Sequence, residues 1–291
     1  MMLNEINISL GSIIFLFNLT QIAILIKTNK TLPNSLVFLV NLAASDAFVG
    51  FMLVIVTIMD IYKAQGWSIF LKNTEQFLRY SGLRLTLIIS LSSLFFITVD
   101  RFMKVIFPLR YRVFSRKLSI YTSLFMWVAS ITGCLLSWFL RDEDTESLLR
   151  RSNVIFPCFT ISTIFIMSIA YTIIWWRIHQ QNKKFILGNA GEYSVAEKQR
   201  LLQERKLGKL ATKIVMSFSL CSIPHSTAAI LKTTTSIKIS DRLMYAASIF
   251  YISNSIVNTV IYFEFVRTKI FKFIKNYYRT DTTESSRTIT K

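Results

Sequence analysis

Thr98-Val99-Asp100-Arg101-Phe102 stands at the end of a long apolar run, and Ile106-Phe107-Pro108-Leu109-Arg110-Tyr111 follows it closely. An acid–base pair at the rim of a membrane helix is costly unless something uses it. Here the pair marks the point where apolar chain meets a basic connection. Arg101 can pair with a carboxylate from another helix or turn toward a partner protein. The plainer alternative is a juxtamembrane anchor charge of the kind found wherever a span ends.

Apolar runs recur outward from this pair along the whole chain. Its 291 residues are 52% hydrophobic and 14% aromatic. A spanning helix needs about 20 mostly apolar residues. Seven runs qualify, at roughly 8–27, 34–62, 76–100, 118–140, 153–176, 210–231 and 242–263. In lipid every backbone polar group must be satisfied within the segment or a closed barrel, so long apolar runs predict helices. The expectation is an all-α membrane protein: one seven-transmembrane helix bundle, with no room for a separate soluble domain.

The net charge of +18 invites a nucleic-acid reading until its placement is considered. Lys27 and Lys30 lie in the first connection, and Lys104, Arg110, Arg112, Arg116 and Lys117 follow the Asp-Arg pair. Arg177 to Lys213 carries a third cluster, and Arg267, Lys269, Lys272, Lys275 and Arg279 follow the last span. These connections alternate, so the charge gathers on one side of the membrane. The positive-inside rule makes that side cytoplasmic and puts the N-terminus outside. The charge then reads as topology and attraction to anionic membrane lipid, with no nucleic-acid partner. The first apolar run reads as an uncleaved signal anchor. Asn7-Ile8-Ser9 is a glycosylation sequon on the outer side, whereas Asn18-Leu19-Thr20 lies within a span. Cys134, Cys158 and Cys221 lie in apolar surroundings and read as buried small residues, with a Cys134–Cys158 bridge left open.

Polar residues inside the spans are the next signal, because each needs a partner within the bundle. Asn18 interrupts the first span. Asn41-Leu42-Ala43-Ala44-Ser45-Asp46 places a carboxylate deep in the second, which reads either as functional or as a structural hydrogen bond. Ser90 precedes the Asp-Arg pair in the third. Arg79 and Arg84 lie nearer its outer end; Arg79 fits a snorkelling side chain. Arg84 reads either as an anion-binding contact or as half of an internal ion pair, for example with Asp60. Trp127 marks the fourth span, and Trp175-Trp176 an interfacial belt at the end of the fifth. Residues 196–213 contain good helix formers and should extend the sixth helix beyond the membrane, with Glu204 on that extension. Pro224 should kink the sixth span. His225 follows it with no ligand-spaced partner. Asn254, Asn258 and Tyr262 mark the seventh. Residues 265–278 alternate aromatic and basic side chains, which predicts a short amphipathic eighth helix on the inner leaflet. Residues 280–291 read as a disordered, Ser/Thr-rich cytoplasmic tail open to phosphorylation.

Taken in order, these residues resemble the rhodopsin-like (class A) G-protein-coupled receptors over essentially the whole chain. Asn18 is similar to the family's first-span Asn, and Asn41 to Asp46 to its second-span motif. Asp100-Arg101-Phe102 resembles the Asp-Arg-Tyr motif, with Phe102 for Tyr. Pro108-Leu109-Arg110-Tyr111 resembles the second cytoplasmic loop, and Trp127 the fourth-span Trp. Phe218, Cys221 and Pro224 resemble the Phe-x-x-Cys-Trp-x-Pro motif, with Ser222 where Trp is usual. Asn258 and Tyr262 resemble Asn-Pro-x-x-Tyr, with Thr259 for Pro.

The resemblance implies one receptor domain over 1–279 at the plasma membrane, multi-pass, followed by the tail. It implies an extracellular ligand, a heterotrimeric G protein, an arrestin and a receptor kinase as partners, and no enzyme activity. Arg101 would pair with Asp100 and Glu204 at rest. Outward movement of the sixth helix would open a cleft shaped by Arg101, Tyr171 and Tyr262, with Phe218 and Pro224 in the switch. Asp46, Ser90, Asn254 and Asn258 would form an allosteric sodium site, with no other cofactor. The ligand pocket is expected around Leu83, Arg84, Phe156, His225 and Ser248.

The departures narrow the subgroup. Gln76 stands near the family's third-span Cys, and the fifth span lacks its usual Pro, with Thr163 near that place. These absences resemble the melanocortin, cannabinoid and lysophospholipid group. Leu83 replaces the aminergic Asp, and Ile252 stands near the retinal Lys. Two readings compete: a receptor-like protein that has lost signalling, supported by Ser222 and Thr259, and a seven-span transporter or channel using Asp46. Transporters usually carry internal repeats and broken helices, and the sequence has neither.

Overall fold

The computed structural model describes residues 2–28, 34–62, 74–111, 115–139, 145–187, 195–235 and 239–288. The described chain is helical throughout its ordered elements. These are α1 (Met2–Thr28), α2 (Asn34–Tyr62), α3 (Leu83–Ile106), α4 (Arg116–Phe139), α5 (Thr145–Leu187), α6 (Val195–Thr234) and α7 (Asp241–Thr288). A one-turn helix, Pro108–Tyr111, follows α3, and a π-helical turn, Leu78–Gly82, leads into it. Each numbered helix holds a segment of 20 residues or more that is long and apolar enough to cross a membrane.

Hydroxyl side chains inside these segments find partners on their own helix. Thr57, Ser93, Thr98, Thr160 and Thr163 each donate to the carbonyl four residues back, at 2.7–3.0 Å. This back-bonding satisfies a donor that lipid would leave bare. The outward faces are apolar: Phe125, Val128, Phe165 and Trp175 are exposed. In a soluble protein such a surface would drive aggregation, whereas in a bilayer it faces lipid.

α1 packs on α2 and α7, α7 on α6, α6 on α5, and α5 on α3. α3 also meets α2, α4 and α6, so it forms the spine of the bundle, and α4 lies outside against α2 and α3. The α1–α2 contact is made possible by two glycines. A Cβ on Gly50 would sit 2.5 Å from the Gly11 carbonyl oxygen and 2.7 Å from the Phe15 amide nitrogen. The core gathers at the Arg101 half, where Leu94, Ile97, Tyr171, Ile214, Phe218 and Tyr262 share one cluster.

Two expectations need correction. The separate eighth helix over 265–278 is not seen; the backbone runs as one helix, Asp241–Thr288, and so passes 280 as well. Neither Gly nor Pro occurs between Asp241 and Thr288 to break it. The side chains beyond Glu264 lie outside the described residues. α5 begins at Thr145, within the stretch read as an outer loop, because Glu146, Leu148 and Leu149 favour helix and no breaker intervenes. α5 also contains Pro157, six residues before Thr163, and it is buried. α6 begins at Val195, ahead of its apolar segment Gly208–Thr234, and Pro224 lies inside that continuous helix.

Candidate functional site

The Asp100–Arg101 pair sits on the last turns of α3, buried on all sides. The guanidinium Nη2 lies 3.5 Å from Asp100 Oδ2. Asp100 has a second partner that comes from the following turn. Pro108 starts the one-turn helix, where its fixed φ suits the first position, and that helix carries Tyr111 back onto α3. The Tyr111 hydroxyl donates to Asp100 Oδ1 at 2.6 Å. Burial, then the Asp100 charge, pushes the Tyr111 phenol well above the usual tyrosine range, so it remains a neutral donor. Lys104 Nζ lies 5.7 Å from the centre of the same ring. Sequence reasoning quoted Tyr111 only as part of a motif; its spacing of 11 from Asp100 crosses a helix end, which periodicity does not bridge.

Phe102 meets Phe107 edge-on at 6.3 Å. Tyr171 of α5 is buried within reach of the charges of Asp100 and Arg101. Tyr262 of α7 is fully buried, and its hydroxyl has no hydrogen-bond partner among the described residues. Glu204 is on α6, but its side chain lies outside the described residues, so the expected Arg101–Glu204 pair lies outside them too. α6 and α7 are joined at this end by another pair, Lys213 Nζ to Glu264 Oε2 at 2.9 Å.

The deep carboxylate forms a second polar centre. Ser90 donates to Asp46 Oδ1 at 2.9 Å, and Asn258 Nδ2 to Asp46 Oδ2 at 3.1 Å. The Ser45 and Ser90 hydroxyl oxygens lie 2.8 Å apart. Asn254 is buried one turn away, and its Oδ1 accepts from Ser217 of α6 at 3.4 Å. Asn258 Oδ1 is buried without a hydrogen-bond partner among the described residues. One carboxylate among neutral oxygens, with an amide oxygen left over, suits a single hard monovalent cation. Among the described residues no group of three His, Cys, Asp or Glu side chains could hold a transition metal.

Two further networks hold the helices around this centre. Thr259 donates to Asn18 Oδ1 at 3.0 Å, and the Asn18 amide reaches the Ser255 carbonyl at 3.4 Å, joining α1 to α7. Asn41 donates to Ser93 at 2.7 Å and accepts from Trp127 Nε1 at 2.8 Å, joining α2, α3 and α4.

Four of the expected ligand residues, Arg84, Phe156, His225 and Ser248, have described side chains. The charge of Arg84 acts on Cys134 of α4. The His225 ring stacks on Tyr251 at 5.2 Å, and Ser248 bonds back to the Met244 carbonyl at 2.8 Å. Phe156 accepts at its carbonyl from Thr160, and the Leu83 side chain lies outside the described residues. Asn7 of the sequon lies within α1 and accepts from the Tyr245 hydroxyl at 2.8 Å. None of the three cysteines is in a disulfide, so no Cys134–Cys158 bridge forms, and Cys158 is exposed rather than buried.

A search of the curated proteins found no match. The family model described as 7 transmembrane receptor (rhodopsin family) matches residues 17–262. That span runs from the residue before Asn18 to Tyr262 and contains Asp46, Arg101, Trp127 and Asn258 in order. With seven apolar helices around a buried Asp-Arg pair, the chain belongs to the rhodopsin family of seven-transmembrane receptors.

Proposed function

We propose that this receptor converts binding of an extracellular ligand into activation of a heterotrimeric G protein at the plasma membrane. The observation that carries the reading is the buried Arg101 guanidinium beside Asp100, which Tyr111 holds from the other side. A buried charge that rests on its sequence neighbour at 3.5 Å is held without a full hydrogen bond. It is free to take a better acceptor when the bundle opens. In this reading α6 moves outward, Arg101 leaves Asp100, and the terminal helix of the G protein enters between Arg101, Tyr171 and Tyr262. Glu204 closes the cleft at rest. Leu109, 76% exposed beside Phe107, offers the incoming partner an apolar contact. The N-terminus is extracellular, and the basic connections face the cytoplasm, where an arrestin and a receptor kinase would act.

The ligand side is the half of the bundle opposite Arg101, with Leu83, Arg84, Phe156, His225 and Ser248 as contacts, Arg84 for an anionic group. An allosteric sodium ion at Asp46, Ser90, Asn254 and Asn258 would favour the closed arrangement. A ligand acts only by its difference in affinity for the two arrangements.

The test is ligand-free G-protein activation in cells, at matched surface levels, for wild type, Arg101→Ala and Glu204→Ala. Glu204→Ala is expected to raise it several-fold, since partly solvated pairs contribute on the order of 1 kcal/mol. Arg101→Ala is expected to abolish it. If neither variant differs from wild type, the non-signalling reading takes over; ion flux without G-protein activation would favour transport.

A further inference from the structure

One aromatic ring on α7 touches two rings on α6. Phe218, Ser222 and His225 recur at helical spacing and share one face of α6. That face meets Tyr251 of α7. The Tyr251 ring lies edge-on to Phe218 at 6.2 Å and 64°. The same ring stacks on His225 at 5.2 Å and 11°. Both distances fall in the range where aromatic pairs attract beyond simple burial.

Between Phe218 and His225 the α6 face carries two small buried residues, Cys221 and Ser222, and the Ser222 hydroxyl has no hydrogen-bond partner among the described residues. A serine cannot fill the space beside a phenylalanine ring. The volume comes instead from α7, where Tyr251 is 4% exposed. Its own hydroxyl is also buried without a partner among the described residues, and the Asp46 charge reaches it. The nearby polar link between the helices, Ser217 to Asn254, is long at 3.4 Å. The ring contacts are a second tie between α6 and α7 at this level of the bundle.

We propose that Tyr251 is a positioning residue that couples His225 to Phe218, its ring filling from α7 the place that α6 leaves to Ser222. A shift of His225 then reaches Phe218 through a side chain on the neighbouring helix. Because the ring belongs to α7, rotation of either helix breaks the stack, so α6 and α7 move together or lose the contact. This inference rests on the receptor reading above.

The test uses the full-length receptor in cells, and purified in detergent. Tyr251→Leu removes the ring and retains most of the volume; Tyr251→Phe retains the ring. At matched surface expression Tyr251→Leu should change ligand-free G-protein activation by about threefold to tenfold, the range expected for losing ring contacts. Tyr251→Phe should return it to near the wild-type level, and Ser222→Trp in the Tyr251→Leu background should recover part of the loss by refilling the space from α6. Thermal unfolding of Tyr251→Leu, Phe218→Leu and the double variant should be non-additive. If Tyr251→Leu does not reach the surface, His225→Leu removes the other half of the stack and should give the same direction of change. Wild-type activation in Tyr251→Leu, or additive unfolding shifts, overturns the proposal. If no form activates any G protein, wild type included, the receptor reading fails, and the coupling is then judged by the unfolding cycle alone.

Discussion

The Tyr111 hydroxyl donates to Asp100 Oδ1 at 2.6 Å, while Arg101 lies 3.5 Å from the other carboxylate oxygen. The shorter of the two contacts therefore comes from a neutral group on the following turn. A hydrogen bond to a charged acceptor contributes about 1.5–3 kcal/mol, more than a neutral one. Tyr111 orients the carboxylate, and the carboxylate orients Arg101.

Tyr111→Phe is therefore expected to loosen the resting arrangement and raise ligand-free activation by about tenfold or more. The phenol is pushed upward from an ordinary value of 10.0 by burial and by Asp100. A raised pKa means that its stabilisation is complete below the ordinary value and is lost only as pH climbs through the higher one. The effect of Tyr111→Phe should then be the same at about pH 6 and about pH 8. A pH-dependent difference between the variant and wild type over that interval would contradict a neutral donor.

Thr259 occupies the family's proline position and uses its side chain to bond Asn18, 241 positions away along the chain. Thr259→Val retains the shape and leaves the Asn18 carboxamide oxygen buried without its donor. The cost should be about 1–3 kcal/mol, or a fall of about 2–4 °C or more in thermal midpoint. Thr259→Ser should unfold close to wild type. Equal midpoints for the Val and Ser variants in a detergent thermal-shift assay would remove Thr259 from the α1–α7 link.

Lys213 and Glu264 are both more than half exposed, at 55% and 65%, so their 2.9 Å pair is largely screened. Its contribution should stay below about 1 kcal/mol and shrink further in high salt. Lys213→Glu and Glu264→Lys, taken singly, should each raise ligand-free activation by no more than about fivefold. The double reversal should restore it. If the double reversal behaves as the sum of its parts, the pair is not what holds α6 to α7 at this end.

Gly50 and Gly11 allow α1 and α2 to touch backbone to backbone. A methyl group at Gly50 would meet the Gly11 carbonyl oxygen at 2.5 Å, and backbone atoms cannot rotate aside. Gly50→Ala should force the helices apart and cut the folded fraction at the cell surface several-fold, consistent with the close approach that small residues permit in membranes. Gly82→Ala is the control, since its nearest neighbour is the Met52 sulfur at 3.6 Å, an ordinary contact. Similar surface levels for the two variants would show that the α1–α2 contact has slack.

The seven spans, the buried Asn18 and Asp46, and the Asp-Arg pair at a helix end were all determined by the sequence alone. Hydropathy is a sum along the chain, and lipid permits few alternatives to helix once that sum is high. Asp46 had to face inward because no lipid-facing position tolerates it. The partners were another matter. Asn258 reaches Asp46 across 212 positions and Tyr245 reaches Asn7 across 238. Such pairs depend on how each helix is rotated about its axis and how far it slides past its neighbours. Apolar periodicity on a helix surrounded by lipid and protein constrains neither closely. Only the tertiary structure therefore decided that Asn254 accepts from Ser217, that Lys213 meets Glu264, and that Tyr251 meets Phe218. The end of α7 shows the same division: the aromatic and basic alternation over 265–278 suits a helix lying on a membrane, but the local sequence contains no residue that would break α7 to release it.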